Sequence, residues 1–239
     1  MRIERFYGHS VLIDHLDASS TVLDLGSHSG GFAQAMASRF RCDTFCVEPN
    51  PALYQVLAAN PAVSAFNLAV TSRPGSACFY VTENSECSSL IPPKISKTVA
   101  EIECQGVTLE ALLETIGSKQ IDVLKMDIEG QELELLASLG DAALDHINQL
   151  SVEFHESIGI GTTKDVLRTI NHLKHFGFEA IKGSFFDYCD VLFLHPVRLR
   201  LPSCWRWLAS TERVRNGIAR RLLKISSHFA GSPDSENSC

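Results

Sequence analysis

Ionisable side chains follow two apolar, strand-like segments of this chain. The first segment ends in Asp127 and Glu129, directly before a helical pattern, and the second carries Glu153 and His155. Alternation along an extended chain places Glu153 and His155 on one side, with Phe154 on the other. Because open α/β sheets bind ligands at the carboxyl ends of their strands, we expect these groups to meet at one site. Carboxylates and an imidazole can transfer protons or hold a divalent cation there.

A glycine-rich turn is the second candidate site. The sequence Gly26-Ser27-His28-Ser29-Gly30-Gly31 lies between a strand-like run and a helical pattern. Gly26 allows a tight turn, while Gly30 and Gly31 let a ligand approach the backbone closely. The G-x-x-x-G-G spacing differs from that of dinucleotide-binding turns, and no Lys-Ser/Thr pair follows as in phosphate-binding loops. The pattern therefore indicates a site for a nucleotide-type ligand or, alternatively, a simple turn.

Glu48 lies at the end of the next strand-like run, 22 residues after Gly26. A carboxylate at this position can accept hydrogen bonds from both hydroxyls of a ribose. The alternative is an acid favoured by the helix dipole, because Pro49-Asn50-Pro51 begins a helical pattern. Coupled to the glycine turn, Glu48 is predicted to bind a ribose.

The elements that must position these residues alternate between strands and helices, which predicts a doubly wound α/β fold with a mostly parallel sheet. The predicted strands are Thr21–Leu25, Thr44–Val47, Val63–Val70, Ile121–Ile128, Leu150–Phe154, Phe178–Lys182 and Val191–Leu194. The predicted helices are Phe32–Arg39, Pro51–Ala59, Glu129–Leu139 and Lys164–Phe176, the last ending at Gly177. Hairpin strands at Ala77–Val81 and Glu101–Val107 flank a Ser-rich stretch and predict an insertion over about 76–107.

Composition excludes several classes of protein. The 239 residues are 45% hydrophobic with a mean hydropathy of +0.04, which is enough apolar material for a folded core. No apolar run is long enough to span a bilayer and the first residues lack a signal core, so we expect a cytoplasmic protein. The eight cysteines form no C-x-x-C pair, which favours core thiols in a reducing compartment over zinc or disulfides.

Charge is distributed unevenly along the chain. The net charge is −7, with −12 in residues 1–197 and +5 in residues 198–239. An acidic body disfavours nucleic acid as a partner. We divide the chain into an N-terminal cap segment (1–20), a catalytic domain (21–197), a basic amphipathic segment (198–225) and a disordered tail (226–239).

The basic segment contains an apolar helical stripe. The stripe and its flanking tryptophans are Val214, Ile218, Leu222, Ile225, Trp205 and Trp207. Such a helix, over about 205–225, can lie on an anionic membrane surface. The alternative is packing against the acidic face of its own domain. The sequence does not predict an oligomeric state.

Together these motifs resemble the FkbM family of S-adenosylmethionine-dependent methyltransferases. The residues that carry the resemblance are Val22–Gly31, Glu48, Lys125-Met126-Asp127-Ile128-Glu129-Gly130 and Glu153-Phe154-His155. It covers about Thr21 to Glu156 and, more loosely, the strands up to His195. The family implies a Rossmann-like class I methyltransferase sheet whose last strand is antiparallel, with S-adenosylmethionine as the cofactor.

The resemblance also assigns cofactor-binding residues. Gly26 and Gly30 would face the methionine part of the cofactor, Glu48 would hold the ribose, and Asn67 and Ala69 would lie near the adenine. Three further residues are included in the cofactor site: Asp24, His28 and Asp127. His28 stands where the family usually has Asn.

Family membership favours an O-methyltransferase acting on a hydroxyl of a sugar or glycolipid. Single-domain bacterial relatives of this length suggest 2-O-methylation of a fucose on a lipochitooligosaccharide nodulation signal. The alternatives are a catalytically silent S-adenosylmethionine-binding domain and an O-methyltransferase of another natural product. Sugar specificity would reside in the insertion and in Phe6–Ser10, for which the alternatives are a solvated loop and a capping strand.

Methyl transfer to a hydroxyl needs a base or a metal, because the hydroxyl is a poor nucleophile at neutral pH. His155 is the predicted base, since its unperturbed pKa of ~6.5 is nearest the operating pH. Asp127 would orient the acceptor or the imidazole, with Glu153 beside it. In the rival arrangement, Asp127, Glu153 and His155 share a divalent ion. The polar stretch Glu83–Leu90 is predicted to stay exposed and to close over the acceptor as a lid.

Overall fold

The computed structural model describes residues 1–117, 119–184 and 187–211. In chain order its strands are β1 (Ile3–Phe6), β2 (His9–Leu12), β3 (Thr21–Leu25), β4 (Asp43–Val47), β5 (Ser64–Phe66), β6 (Ala69–Val70), β7 (Gly75–Thr82), β8 (Thr98–Val107), β9 (Val123–Met126), β10 (Gln149–Val152), β11 (Glu179–Lys182) and β12 (Val191–Leu194). Its helices are α1 (Gly31–Phe40), α2 (Pro51–Ala58), α3 (Leu109–Thr115), α4 (Glu132–Ser138), α5 (Asp141–Leu144) and α6 (Thr163–His175).

A seven-stranded sheet forms the centre of the molecule, in the order β11-β12-β10-β9-β3-β4-β5. Strands β10, β9, β3, β4 and β5 are mutually parallel, whereas β12 pairs antiparallel with both β10 and β11. Every residue of β3, β9, β10 and β12 is buried, as expected for strands covered on both faces. The predicted α/β fold with an antiparallel last strand is confirmed.

Local signals explain where the helices begin. The Asn50 side chain accepts a hydrogen bond from the Ala52 amide, and proline occupies the first position of α2. Thr162 and Asp165 form a reciprocal capping box at the start of α6, and Gly177 follows that helix with φ +86°. Helix α1 begins after Gly30, which has φ +85°.

Two predicted elements are wrong in extent. The predicted strand Val63–Val70 is two strands, β5 and β6, in different sheets. Asn67 separates them, because its side-chain amide donates hydrogen bonds to the Glu48 and Pro49 carbonyls. The helix predicted to start at Glu129 starts three residues later. Glu129 and Gly130 have φ of +53° and +105°, so no helix can pass through them. Helices α3 and α5 were not predicted.

The insertion forms a second sheet in the order β6-β8-β7, with β7 and β8 as an antiparallel hairpin. The stretch between them was expected to be exposed, but Ser88 and Ser89 are buried. A backbone pair between Tyr80 and Ser89 folds the stretch back onto β7, and the Ser88 hydroxyl accepts a hydrogen bond from the Thr82 amide. These contacts correct the prediction for Ser88 and Ser89, and Ser85–Cys87 forms a 3₁₀ turn.

The N-terminal segment forms a hairpin, β1–β2, that packs on strands β10 and β12. The Gln149 carboxamide accepts a hydrogen bond from the Leu12 amide and donates one to the Leu12 carbonyl. Asp190 accepts hydrogen bonds from the amide and hydroxyl of Ser10. Side-chain bonds at both ends of β2 thus fix the hairpin against the sheet.

The chain after β12 ends, within the described residues, in a helix over 205–211. Trp205 is buried in an apolar cluster with Ile3, Leu12 and Leu194, whereas Trp207 is exposed. Trp205 therefore packs on its own domain, which agrees with the alternative given for this segment. Contact of the segment with a membrane stays a prediction. The apolar stripe from Val214 to Ile225 and the predicted tail lie outside the described residues. Within the described ranges, none of the helices has the length and apolar character needed to cross a membrane.

The free thiols in the described ranges include Cys42, Cys46, Cys78, Cys104 and Cys204. Cys42 and Cys46 are buried as predicted, and burial raises the pKa of Cys46 to about 12. Cys78 and Cys204 are exposed, so the core interpretation does not extend to them.

Candidate active site

A cavity of about 860 Å³ opens at the carboxyl ends of β3, β4 and β9. This volume is within the range of small-molecule pockets, about 300–1,000 Å³. Its walls come from the glycine turn, the strand-end acids, the tip of the β1–β2 hairpin and the insertion. The position at the strand ends is the one that parallel sheet topology predicts.

Gly26 is required where the glycine turn crosses the neighbouring strand end. Its φ is +73°, and a Cβ there would lie 1.8 Å from the Asp127 carbonyl oxygen. Gly31 lines the cavity, but Gly30, predicted to face the cofactor, does not. Gly30 has φ +85° and leaves room for Leu57, since a Cβ would lie 2.6 Å from Leu57 Cδ2. Its role is to shape the turn.

Lys125 binds the backbone of the glycine turn. Its Nζ donates to the Gly26 carbonyl oxygen over 2.6 Å and lies 3.1 Å from Asp24 Oδ1. Burial opposes the lysine charge, but the carboxylates of Asp24 and Asp127 outweigh it and raise the pKa of Lys125 above its usual value. Asp24 is fully buried and is not among the cavity-lining residues, so the expected cofactor contact of Asp24 is replaced by this ion pair.

Glu48 lines the cavity and is also bonded within the protein. Its Oε2 accepts from the His28 amide at 2.9 Å, and its Oε1 accepts from the Asn50 amide at 2.8 Å. Burial raises the pKa of Glu48 to about 7, against the effect of these two amides. Each carboxylate oxygen retains a second lone pair, so the side chain can still accept hydrogen bonds from a ribose.

The two residues expected near the adenine separate in the structure. Ala69 lines the cavity, together with Leu68 and Val70. Asn67 is exposed and does not line it, because its carboxamide binds the backbone beyond β4. Asn67 therefore supports the loop that carries Glu48.

His28 connects the glycine turn to the insertion. Its φ is +49°, and its Nε2 lies 2.9 Å from the hydroxyl oxygen of Ser85 in the 3₁₀ turn. Several other insertion residues, including Asn84, Cys87 and Ile95, line the same cavity. The insertion thus covers the cavity on the side of the glycine turn.

Asp127 is the centre of the charged cluster. Its carboxylate lies 3.6 Å from Lys125 Nζ, 3.5 Å from His9 Nε2 and 3.7 Å from His155 Nε2. Burial alone would raise its pKa, but Lys125 and His9, with His155, hold the pKa of Asp127 well below its usual range. Asp127 is therefore a carboxylate at any working pH, and a weak base.

His155 has carboxylates on both ring nitrogens. Nε2 lies 3.3 Å from Glu129 Oε2, and Nδ1 lies 3.4 Å from Glu132 Oε1. Burial would lower the pKa of His155, but these two acids raise it to about 12. The argument that made His155 the general base assumed a pKa near neutrality. A protonated histidine cannot accept a proton, so the carboxylates beside both ring nitrogens disfavour the predicted role of His155 as the base.

Glu153 differs from Asp127 and His155 in its affinity for a proton. Its carboxyl group is about one-fifth exposed, lies at the cavity and is 3.8 Å from His9 Nε2. Burial, with the nearby charge of Asp127, raises the pKa of Glu153 to about 8. Of Asp127, Glu153 and His155, Glu153 is the group whose affinity for a proton matches the operating pH of a general base.

Sequence reasoning missed the roles of His9 and Lys125. Lys125 carried a signal, since a charged residue inside an otherwise apolar strand is costly unless it is paired. His9 carried none, because a hairpin over 100 residues away brings it beside Asp127.

Two groups of three side chains could hold a metal ion within the described ranges. They are His9, Asp127 and Glu153, and Asp127, Glu132 and His155, each with ligand atoms within 4.8 Å of one another. The expected trio of Asp127, Glu153 and His155 is divided between these groups, with Glu153 in the first and His155 in the second.

The residues present fit S-adenosylmethionine. Carboxylates predominate among the charged groups of the cavity wall, and Lys125 is already paired with Asp24. Such a wall suits a ligand with a cationic sulfonium and no phosphate. The glycine turn presents backbone to the ligand, and Glu48 supplies buried acceptor oxygens.

The chain was compared with known proteins. The model of the methyltransferase FkbM domain matches residues 24–180. The chain is 25% identical to the hexuronic acid methyltransferase AglP of Haloferax volcanii, over 69% of this chain and 66% of AglP. It is also 25% identical to the methyltransferase sdnD of Sordaria araneosa, over 66% of this chain and 74% of sdnD. A third relative, the Pseudomonas aeruginosa AMB antimetabolite synthetase AmbE, is matched over 10% of its length.

Solved structures show more distant likeness. The TrmK protein of M. capricolum, solved with S-adenosyl-homocysteine, aligns with 8% identity and a TM-score of 0.41, over 75% of this chain and 62% of TrmK. The METTL16 methyltransferase domain aligns with 8% identity and a TM-score of 0.45, over 75% and 60%. The family match covers well over half of the chain and contains both the glycine turn and the strand-end acids. The chain therefore belongs to the methyltransferase family defined by the FkbM domain.

Proposed function

We propose that this methyltransferase acts on a hydroxyl group of a sugar or glycolipid. The observation that carries the proposal is the pair of strand-end carboxylates, Asp127 and Glu153, which share His9 as a neighbour at the cavity wall. Carboxylate oxygens accept hydrogen bonds from hydroxyl groups and can take a hydroxyl proton. Similarity to a hexuronic acid methyltransferase supports a sugar as the acceptor.

The charge of the site favours a neutral acceptor. Four acidic side chains line the cavity near the hairpin tip and the insertion: Glu86, Asp127, Glu129 and Glu153. An acceptor that carried its own carboxylate would be repelled by Asp127, whose pKa is held well below its usual range. The named candidate is the 2-hydroxyl of a fucose on a lipochitooligosaccharide, whose ring is uncharged.

Each side chain has a defined part in the proposed reaction. S-adenosylmethionine, when bound, supplies an electrophilic methyl group on a positively charged sulfur. Asp127 accepts a hydrogen bond from the acceptor and fixes its orientation, which is where much of the rate arises. Glu153 takes the hydroxyl proton as the new carbon–oxygen bond forms. His155 stays protonated between Glu129 and Glu132 and keeps these acids from repelling Asp127.

A metal ion on His9, Asp127 and Glu153 would change the role of Glu153. The ion would then lower the pKa of the acceptor hydroxyl, and these three side chains would hold it by nitrogen and oxygen ligands. The two arrangements differ in their response to a chelator. Activity that survives EDTA supports proton transfer to Glu153, and activity lost to EDTA and restored by Mg²⁺ or Mn²⁺ supports the metal.

The test is methyl transfer from labelled S-adenosylmethionine to a panel of acceptors. The panel contains methyl fucopyranoside, a fucosylated chitooligosaccharide, a hexuronate and a non-sugar alcohol, with the Glu153→Gln variant as control. We expect label on a neutral sugar, and none with the variant. S-adenosylmethionine binding without transfer to any acceptor would instead indicate a silent binding domain. Methyl transfer to the non-sugar alcohol alone would indicate that the acceptor belongs to another class of natural product.

A further inference from the structure

The tip of the N-terminal hairpin carries an unusual residue. The pair Phe6 and His9 closes the β1–β2 ladder, so Tyr7 and Gly8 form a two-residue turn. Their φ values are +46° and +91°, which is the type I′ pattern of a tight hairpin. This turn favours Asn, Asp or Gly at its first position, because bulky residues with positive φ are strained. Tyr7 therefore occupies a position that the turn itself would give to a smaller residue.

The Tyr7 side chain does not compensate for this strain by burial. The residue is 71% exposed, although it lines the cavity. Its ring lies over Gly31 at the start of α1, where a Cβ would be only 2.4 Å from Tyr7 Cε1. Gly31 thus leaves the space that the ring occupies, and most of the residue stays exposed at the cavity wall.

The hairpin tip is held at a fixed distance from the strand-end acids. Gly8 lies beside Glu153, since a Cβ at Gly8 would be 4.0 Å from Glu153 Oε2. His9 is buried next to Asp127, and its ring packs edge-on against Phe32. The tip therefore presents an exposed aromatic ring next to groups that can accept hydrogen bonds.

We propose that Tyr7 is a specificity-determining residue that stacks against the apolar face of the acceptor's sugar ring. A pyranose has C–H faces and hydroxyl edges, so it can cover the Tyr7 ring while a hydroxyl reaches Asp127 and Glu153. Ile95 of the insertion, 58% exposed, adds a second apolar surface at the same cavity. Tyr7 lies in the N-terminal hairpin, outside the family-matched segment 24–180. The inference rests on the proposed sugar acceptor.

The test compares Tyr7→Asn with Tyr7→Phe in the full chain. Three quantities are measured: the midpoint of thermal unfolding, the dissociation constant of S-adenosylmethionine, and kcat and KM for methyl fucopyranoside. Asn suits the turn but removes the ring, whereas Phe keeps the ring and the strain. We expect Tyr7→Asn to unfold at an unchanged or higher temperature, to bind the donor within about twofold of the parent, and to show an acceptor KM raised about tenfold. Tyr7→Phe keeps the parent KM within about threefold.

The outcomes separate this inference from the proposed function. A lower unfolding temperature for Tyr7→Asn, with all activity reduced alike, would show that the ring is a structural element and would overturn the inference. Weaker binding of S-adenosylmethionine with an unchanged acceptor KM would place the ring in the donor site and would overturn the inference as well. Sugar methylation that is insensitive to Tyr7→Asn overturns the inference alone. If the parent protein methylates no sugar, the proposed function fails and the inference fails with it.

Discussion

Lys125 and Asp24 form a buried ion pair across the centre of the sheet, with 3.1 Å between Nζ and Oδ1. The two residues are register partners on β9 and β3, and Lys125 continues to the Gly26 carbonyl. The pair thus links the strand that precedes Asp127 to the glycine turn that lines the cavity. It stabilises the site only while both charges are present, because an unpaired buried charge is costly.

A double-mutant cycle tests this relationship. We expect Lys125→Met and Asp24→Asn each to lower the free energy of unfolding by about 3–5 kcal/mol. The double variant should lose less than the sum by about 1–3 kcal/mol, because neither charge is then left unpaired. Urea unfolding measures all four proteins. Effects that add within about 0.5 kcal/mol would show that the two side chains act independently.

Glu48→Ala should weaken S-adenosylmethionine binding by about 1–3 kcal/mol, because polar groups of the donor lose their acceptor oxygens. Calorimetry gives the affinity, and the midpoint of thermal unfolding checks that the turn remains folded. Glu48→Gln is the matched control, since its remaining oxygen still accepts one hydrogen bond. An unchanged affinity for Glu48→Ala in a folded protein would remove the ribose assignment.

The pH profile of activity should follow Glu153. A base must be ionised to accept a proton, and the pKa of Glu153 is raised to about 8. The value of kcat/KM is therefore expected to increase with pH up to about 8 and to level off above it. Glu153→Gln should reduce kcat by about 10²–10⁴-fold without changing donor affinity. A flat profile between pH 6 and 9 would contradict this role.

His155→Gln tests the protonated histidine. The folded pKa of about 12 exceeds the usual value, so this stabilisation is complete below about pH 6.5 and is lost as the pH rises toward 12. At pH 6 we expect the variant to lose about 3 kcal/mol of unfolding free energy, since Glu129 and Glu132 are left beside Asp127 without their cation. The difference between variant and parent should shrink toward pH 10. A difference that grows with pH would mean that the native histidine is neutral.

Contact between the insertion and the glycine turn is predicted to support acceptor use. Ser85→Ala removes the partner of His28 and should raise the acceptor KM about two- to tenfold, with the donor dissociation constant unchanged. Ser76→Ala is the matched control, because Ser76 lies on the same hairpin and bonds Glu103 away from the cavity. Shortening Glu83–Ser89 should act in the same direction more strongly. If the donor dissociation constant and the acceptor KM rise equally, the insertion is only structural.

Much of the fold could be predicted because local signals and periodicity agree. β3 has its predicted bounds, Thr21–Leu25, since an apolar run ends at a glycine that the turn requires. The prediction failed where a distant contact decides the backbone. Asn67 interrupts the predicted strand by donating a hydrogen bond to the loop after β4. Glu132 accepts hydrogen bonds from the Ile128 and Gly130 amides, so α4 begins three residues later than predicted.

By itself the sequence determined that acids, a histidine and a glycine turn stand at strand ends, because strand position follows from apolar runs and turn residues. Only the tertiary structure decided what these groups can do. A pKa depends on burial and on charges within a few ångströms, and those charges come from remote parts of the chain. Thus Glu129 and Glu132 keep His155 protonated, and desolvation makes Glu153 the better base. His9 joins them because a hairpin that no motif marks packs beside β10.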